Sequence, residues 1–455
     1  MKSYFSLYEV VLISAALSAI SKAEVSDHSN PLMSLFRHFN ENRHHVTNPQ
    51  GKQRARDFIM KTFQDLGLKT WSEKFQPDHP QVWTCQSLQF GCGHNVVGMV
   101  PGTLAGSPDD RLFLIGAHYD TVRHTQGADD NGSGVVALLQ VAKQIVADFK
   151  TSPRRRPFSI LFVAFDFEEW EDCSNVKHQC ACDRIGCGSR AYVANLTRFY
   201  NGSLSSNGNL QGAIIMDTVM NYNSTPYSQI LPNATSQLLP EIYNQIKKDE
   251  FRGNFLAVIG RKVDERFLLD LFYYHYNQVK SDLKNKTTMY PVELPFRGQP
   301  SKLDSHNYKD FLRSDHEPFW ESNHTLRAIF LSDTADFRER MTSCYHEDCD
   351  RLSRVTPQML QFLKKTIDVI LSVTNDVTEQ SCPQRIPKFL QSTDVSEDGM
   401  EEWEVALLAI GMILVGVLKG VVAVVCHQRW KKQQGPLVTT RDLAMQSSTN
   451  PDNTV

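Results

Sequence analysis

The chain has almost no net charge for its length. Its 455 residues include 48 Lys and Arg against 51 Asp and Glu, which leaves a formal net charge of −3 at pH 7. This balance gives no electrostatic reason to expect nucleic acid as a partner. The sequence also has no evident internal repeat. Hydrophobic residues make up 41% of the chain, an ordinary share for a globular protein with a large core.

Long apolar runs are scarce as well, and two of them predict targeting and anchoring. Met1–Ala23 has a lysine near its start, an apolar stretch and a small-residue cleavage site, as a secretory signal peptide does. Residues 405–426 form an apolar run interrupted only by Lys419. At about 1.5 Å per residue this run reaches about 30 Å, which is enough for one transmembrane helix.

The charges that flank the second run predict its orientation. Acidic residues precede it and basic residues follow it, so the positive-inside rule places the C-terminus in the cytosol. We therefore expect a single-pass type I membrane protein whose main domain is extracellular or lumenal. Its predicted parts are a signal peptide (1–23), an ectodomain (24–380), an acidic stalk (381–404), a transmembrane helix (405–426) and a cytoplasmic tail (427–455). The oligomeric state stays open.

Cysteine usage agrees with an oxidising compartment. Nine of the ten cysteines precede the predicted span, and close pairs such as Cys85/Cys92 and Cys344/Cys349 predict disulfides that close short loops. The odd number leaves one cysteine free or paired between chains. Glycosylation acceptor patterns also predict an outward-facing surface; they occur at Asn195, Asn201, Asn223, Asn233, Asn285 and Asn323.

Short apolar segments alternate with helical patterns through the predicted ectodomain. The runs are rich in Ile, Val and Phe, as expected of strands covered on both faces, and lie at 95–100, 112–117, 159–165, 213–216 and 326–331. Helical patterns lie at 25–68, 134–149, 189–200, 240–249, 267–280 and 357–373, the last with Thr356 as N-cap. This alternation predicts an α/β three-layer sandwich with a mixed, mostly parallel central sheet.

Chemically active residues come just after several of these runs. Two imidazoles and several carboxylates, without a cysteine pair, are the set that a hydrolytic zinc site needs: His118, Asp120, Asp129, Glu168, Glu169, Asp217 and His346. Ligands in open α/β sheets bind outside the carboxyl ends of the strands, which is where these residues fall. Taken singly each residue has an ordinary structural interpretation, but their joint occurrence at successive strand ends favours a metal site.

The spacing of these residues suggests which role each of them has in a metal site. His118 and Asp120 point to the same side of an extended chain, so Asp120 can hold the second nitrogen of the imidazole. Asp129 lies in a glycine-flanked loop and has two oxygens free to bridge two metals. Glu168 and Glu169 diverge, so one can bind metal while the other takes a proton from a water whose pKa zinc lowers toward ~7.

Six segments follow one another in the order AHYDT, GADDNGSG, FEEW, MDT, SDHEPF and YHEDCD. This order resembles the secreted two-zinc aminopeptidases of the MH clan, a family that includes glutamate carboxypeptidase and the glutaminyl cyclases. The resemblance covers roughly residues 95–373 and implies a zinc exopeptidase-like fold with two zinc ions. It implies His118, Asp129 and Asp217 as ligands of one zinc, and Asp129, Glu169 and His346 as ligands of the other. Glu168 would be the general base and Asp120 the orienting partner of His118.

One departure from the family pattern bears on the substrate. Residues 170–187, rich in cysteine, intervene where the family has a short turn, and either wall off a pocket or form a surface loop. The sequence does not say which end of a peptide is attacked, although Arg190, Arg338 and Arg340 lie near the motifs and offer candidates for binding a substrate carboxylate.

Three functions follow as hypotheses. The first is a membrane-anchored zinc exopeptidase acting on peptides, in the first place an aminopeptidase, and the GADDNGSG loop favours it over the second because that loop suggests two metals. The second is a glutaminyl-cyclase-like aminoacyltransferase with one zinc. The third is an inactive receptor ectodomain, which the complete set of predicted ligands disfavours.

Overall fold

A computed structural model describes residues 30–75, 92–107, 109–151, 156–169, 187–199, 210–283 and 287–379. The chain divides into two units, Met1–Ser381 and Cys382–Val455, and every described residue lies in the first. The predicted signal peptide, stalk, transmembrane helix and tail therefore lie outside the described residues, as does most of the insertion at 170–187. Within the described ranges, no helix is long and apolar enough to span a membrane.

Within the described residues, eight strands form one mixed sheet: β1 (Lys69–Phe75), β2 (Gly93–Val100), β3 (Leu112–His118), β4 (Ser159–Phe165), β5 (Leu210–Met216), β6 (Phe255–Arg261), β7 (Thr288–Leu294) and β8 (Ala328–Ser332). Their order in the sheet is β1-β2-β4-β3-β5-β8-β6-β7. Four neighbouring pairs are parallel (β3–β4, β3–β5, β5–β8 and β6–β7) and three are antiparallel.

Helices connect the strands. They are α1 (Pro31–Phe36), α2 (Pro49–Asp65), α3 (Gly132–Thr151), α4 (Cys187–Phe199), α5 (Thr235–Leu238), α6 (Pro240–Lys248), α7 (Arg266–Gln278), α8 (Lys302–Asn307), α9 (Glu317–Glu321), α10 (Met341–Cys344) and α11 (Pro357–Glu379). Short 3-10 turns occur at Arg37–Phe39, Lys309–Phe311, Ala335–Phe337 and Leu352–Arg354. The predicted cap of the last helix is present, because the Met359 N–H donates to the Thr356 Oγ1 at 3.2 Å.

Side chains on the two faces of the sheet pack into two separate hydrophobic cores. In β3, Phe113 and Ile115 belong to the core that also contains residues of α2, α3, α7 and α11. Leu112 and Leu114 of the same strand belong to the other core, with residues of α4, α6 and α9. Since successive side chains of a strand point to opposite faces, helices cover the sheet on both sides. The predicted three-layer α/β architecture with a mixed, mostly parallel sheet is confirmed.

Three strands were absent from the sequence prediction. The β1 segment, KTWSEKF, is mostly polar and lies at one edge of the sheet, and β7 is an edge strand with Pro291 inside it. The β6 segment is fully buried and apolar up to Ile259, so it was missed although the pattern that identified the other strands also occurs in it. The stretch at 25–68, predicted to be largely helical, contains α1, a 3-10 turn and α2 within its described part.

Phe162 offers a test of the core. It lies at the middle of β4, is fully buried, and its ring centroid lies 6.2 Å from that of Phe63. Phe162→Ala should lower the free energy of unfolding by about 3–5 kcal/mol, because it removes apolar contacts and leaves a cavity. Leu303→Ala, at a side chain that is 67% exposed, should change it by less than about 0.5 kcal/mol. Urea denaturation followed by circular dichroism measures both, and equal effects would contradict the described core.

Candidate metal centre

Three of the predicted site segments meet at one edge of the sheet. His118 is the last residue of β3, Glu168 and Glu169 follow β4, and Asp217 follows β5. Because β3 pairs in parallel with both β4 and β5, the carboxyl ends of the three strands lie side by side. Loops from neighbouring strands therefore place four ionisable side chains together, as expected of ligand sites in α/β sheets.

His118 lies at the centre of the first group of side chains. Its Nε2 lies 3.4 Å from Asp217 Oδ1, 3.5 Å from Asp130 Oδ1 and 3.8 Å from Glu168 Oε2. These residues are buried, with exposures of 0% for His118 and 8% or less for the three carboxylates. The atoms of His118, Glu168 and Asp217 are close enough together to hold a single metal ion.

A second group adjoins the first and shares residues with it. His346, in the loop after α10, places its Nε2 3.2 Å from Asp130 Oδ2 and 3.3 Å from Glu169 Oε2. His118, Asp130 and Glu169 form another set of atoms that could hold one metal ion. Asp130 therefore faces His118 with one oxygen and His346 with the other, which is the geometry of a carboxylate between two metal positions.

The structure does not bring Asp129 into either group, which corrects the sequence prediction. Asp129 Oδ1 accepts a hydrogen bond from the Met220 N–H at 3.2 Å, and burial together with Asp333 raises the pKa of the Asp129 carboxyl. The Asp350 carboxylate accepts from the N–H groups of both Asp129 and Asp130, at 2.9 and 3.0 Å. With the backbone fixed there, adjacent side chains diverge, and Asp130 is the one that enters the site.

Neighbouring side chains orient the predicted ligands. Asp120 Oδ1 lies 3.5 Å from His118 Nδ1, so the other imidazole nitrogen faces the site. The two oxygens of Asp120 also accept from the backbone N–H groups of Glu168 and Glu169, each at 3.2 Å. Ser314 donates to Asp217 Oδ2 at 2.8 Å. The Asp120 carboxylate thus connects the loop after β3 to the loop after β4 that carries Glu168 and Glu169.

Several buried polar atoms of the site have no hydrogen-bond partner of normal geometry among the described residues. They are His118 Nδ1 and Nε2, Asp130 Oδ2, Glu169 Oε1, Asp217 Oδ1 and His346 Nε2. Leaving such atoms unsatisfied is costly, and charged ones most of all. Imidazole nitrogens and carboxylate oxygens converging without cysteine are the donors that zinc takes in catalytic sites. The residues present therefore fit zinc.

The pKa values of the site's side chains reflect their burial and their close spacing. Burial raises the pKa of the Glu169 carboxyl to about 8, although His346 opposes that shift. Burial alone would lower the pKa of His346, but Glu169 and Asp130 outweigh it and raise that pKa to about 9. The pKa of Glu168 also rises well above its ordinary value through burial. With these raised pKa values, metal binding should release protons and strengthen as the pH rises.

Two buried arginines hold backbone groups near the site. Arg43 was not predicted from the sequence, and Arg338 was predicted only as a candidate for binding a substrate carboxylate. Arg43, fully buried, donates from its guanidinium to five backbone carbonyls, among them those of Tyr119 and Gly127 at 2.7 and 2.9 Å. It thereby joins the segment before α2 to the loop after His118 and to the loop that carries Asp130. Arg338, also fully buried, donates to Gln229 Oε1 and to the carbonyls of Asn221 and Phe255. Both lie too far in sequence from their partners for spacing to reveal the contacts.

An apolar cavity opens beside the cluster. Asp217 and Tyr345 lie at its wall, and the other lining residues include Ile242, Phe255, Ala257, Tyr290, Val292 and Phe330. Its volume is about 80 Å³, measured as the space open to the centres of water-sized molecules. Since one water needs about 10–15 Å³ on that measure, the cavity has room for a large side chain.

Disulfide bonds lie close to the site. Cys344 and Cys349 are bonded, as the sequence predicts, and close a short loop that contains His346. Cys92 and Cys187 each take part in a disulfide bond, and Cys85, the predicted partner of Cys92, lies outside the described residues.

Residues 95–254 match the family model for Peptidase family M28. The predicted resemblance to zinc exopeptidases is confirmed. The chain is 28% identical over 257 residues to the uncharacterized protein YfbL of Escherichia coli strain K12, a match that covers 54% of this chain and 63% of that protein. It thus spans less than two thirds of that relative's length.

Two solved structures illustrate the range of similar proteins. The LapA aminopeptidase of Legionella pneumophila has a TM-score of 0.48 and 13% identity, over 84% of this chain and 78% of that one. The glutaminyl cyclase of Macrostomum lignano has a TM-score of 0.49 and 14% identity, over 76% of this chain and 87% of that one. At these values the activity has to be argued from the site itself.

The two adjacent aspartates give a direct test of the corrected site. Asp130→Asn should weaken zinc binding by more than the roughly 10- to 100-fold that loss of an outer partner costs, because Asp130 faces both groups. Asp129→Asn should keep the zinc content of the wild type, because its side chain lies outside them. Zinc measured by mass spectrometry after dialysis decides between them. Loss of zinc in Asp129→Asn alone would restore the assignment from the sequence.

Proposed function

We propose that this protein is a zinc-dependent exopeptidase that removes N-terminal residues from peptides. The observation that carries the proposal is the cluster of His118, Asp130, Glu169, Asp217 and His346, with Glu168 beside it and an apolar cavity at Asp217. A hydrolytic site needs metal ligands, a proton acceptor and a place for the substrate, and all three lie together at one edge of the sheet.

Two zinc ions are proposed for each chain. His118 and Asp217 would hold one, Glu169 and His346 the other, and Asp130 would contribute an oxygen to each. When bound, zinc would lower the pKa of a water toward ~7 and polarise the scissile carbonyl. Asp120 would keep the His118 imidazole oriented through its Nδ1.

Glu168 is proposed as the general base. Its backbone N–H is held by Asp120, its side chain is 5% exposed, and its carboxylate lies at the edge of the first group of ligands. The raised pKa of Glu168 suits a residue that takes a proton from water and then donates it to the leaving amine. A neighbouring positive charge lowers the pKa of a carboxyl, so bound metal would return Glu168 to its ionised form.

The surroundings favour attack at the amino end. A carboxypeptidase needs a free cation for the substrate carboxylate, but within the part of the chain that the structure describes, the arginines considered from the sequence already have partners. Arg190 pairs with Glu317 and Glu321, Arg338 is buried, and Arg340 donates to the Arg354 carbonyl. Arg313, which lines the cavity, donates to Asp336 and to the Tyr345 hydroxyl at 3.2 Å each. The carboxylates of the site instead suit an N-terminal ammonium group.

The cavity suggests which substrates are preferred. Aliphatic and aromatic side chains form most of its wall, and burying an apolar substrate side chain there would strengthen binding by ~25 cal/mol for each Å² removed from water. We therefore propose large apolar N-terminal residues as substrates. Anchoring as a type I membrane protein, with this site outside the cytosol, completes the proposal and rests on the sequence alone.

Glu168→Gln tests the catalytic role. The change keeps the size of the side chain but removes its ability to accept a proton, so turnover of an aminoacyl amide should fall about 10²- to 10⁴-fold. Zinc content should stay at the wild-type level, and both are measured on the same purified ectodomain.

The product separates the peptidase from the alternatives. Release of a free N-terminal amino acid by the wild type supports the proposal. Ammonia release from N-terminal glutamine without loss of a residue would identify a glutaminyl cyclase. Zinc binding without either reaction would favour a receptor ectodomain, and normal turnover in Glu168→Gln would refute the role of that residue.

Ala257→Leu tests the proposed preference. Ala257 is 4% exposed and lines the cavity, so a larger side chain should fill part of the space. We expect kcat/KM for a leucine amide to fall by about 10- to 200-fold, the range that pocket size commonly discriminates, with little change for an alanine amide. Steady-state kinetics on both substrates make the measurement, and an equal fall for both would refute the assignment of this cavity.

A further inference from the structure

Glu168 and Glu169 follow a turn that needs support. Phe167, directly before them, has a φ of +53°, a left-handed conformation that bulky residues rarely adopt. Its N–H donates to Asp166 Oδ1 at 2.9 Å, and its carbonyl accepts from the Cys187 N–H at 3.0 Å. A side chain that stabilises this turn would therefore set the direction of the two glutamates.

Lys52 contacts the turn from a distant part of the chain. It lies in α2, is 9% exposed, and places its Nζ 2.5 Å from Asp166 Oδ1. The same ammonium lies 3.4 Å from the centroid of the Phe167 ring. An ion pair and a cation–π contact thus come from a single buried charge, and both are strengthened by the lack of water around them.

The partner of Lys52 is itself fixed from the other side. Asp166 is 1% exposed, its Oδ2 accepts from the His94 N–H at 2.9 Å, and its own N–H donates to Asn95 Oδ1 at 3.1 Å. Asp166 is therefore anchored to β2 while Lys52 neutralises it. Removing only the lysine would leave an uncompensated buried carboxylate at the start of the turn, a costly state.

We propose that Lys52 is a positioning residue for the general base: it fixes the turn at Asp166–Phe167 and so directs Glu168 and Glu169 into the metal centre. This inference rests on the proposed function. Lys52 lies outside the segment matched by the family, 95–254, and it acts through the turn rather than on the substrate. It also assigns a role to α2, which otherwise serves only as a cover of the sheet.

Lys52→Met keeps much of the length and apolar volume of the side chain and removes the charge. We expect kcat for an aminoacyl amide to fall about 10- to 100-fold, the effect of misplacing a catalytic group, while KM stays nearly unchanged. Lys52→Arg, which retains the charge, should recover most of the loss. Hydrogen exchange of the Glu168 and Glu169 amides, both held by Asp120, should become faster in Lys52→Met.

Lys365→Met is a matched control. Lys365 is also buried, with its Nζ 4.1 Å from the centroid of the Tyr276 ring and 3.1 Å from Thr287 Oγ1, and none of these residues belongs to the site. It should lower Tm as Lys52→Met does, but leave kcat and the exchange of both amides unchanged.

Two outcomes separate this inference from the proposed function. If Lys52→Met lowers only Tm and keeps kcat and amide exchange, Lys52 is merely structural and the inference is refuted. If the wild type hydrolyses no peptide, the proposed function fails, and faster exchange of the two amides in Lys52→Met, absent in Lys365→Met, still supports the positioning of the turn.

Discussion

The concentration of negative charge at the carboxyl ends of β3, β4 and β5 is the constraint on which the rest of the site depends. Four carboxylates and two imidazoles lie within a few ångströms of one another, mostly removed from water. Burial raises the pKa values of Glu168 and Glu169, and repulsion from neighbouring carboxylates raises them further. Bound cations relieve this repulsion most directly, and the donors present are those that zinc prefers.

The surrounding scaffold holds these groups in place. Asp120 and Asp350 use their carboxylates to hold backbone N–H groups of the loops that carry Glu168, Glu169 and Asp130. Arg43 does the converse, since its guanidinium holds backbone carbonyls of the loops around His118 and Asp130. The site is thus oriented mainly through the backbone, which leaves the ligand side chains free for metal. Arg43 and Lys52 thereby connect the N-terminal segment to loops formed by later parts of the chain.

The sequence predicts much of this arrangement, and its errors have physical causes. Five strands were identifiable as short apolar runs because both their faces are buried, whereas β1 at an edge and β7 with its proline lack that pattern. The residues after the strands marked the site because parallel neighbours bring their ends together. The choice between Asp129 and Asp130 was wrong because two adjacent residues in a tight loop look alike until the backbone contacts of Asp350 are known. Lys52 and Arg43 were missed because their partners lie far along the chain.

An anomalous difference map at the zinc absorption edge, from crystals of the ectodomain grown with zinc, tests the central claim most directly. The account predicts two peaks per chain, one beside His118 and Asp217 and one beside Glu169 and His346, with Asp130 between them. A single peak would remove the two-metal arrangement. A well-ordered site with no peak at all, and with Asp130 facing neither imidazole, would contradict the claim that this cluster binds metal.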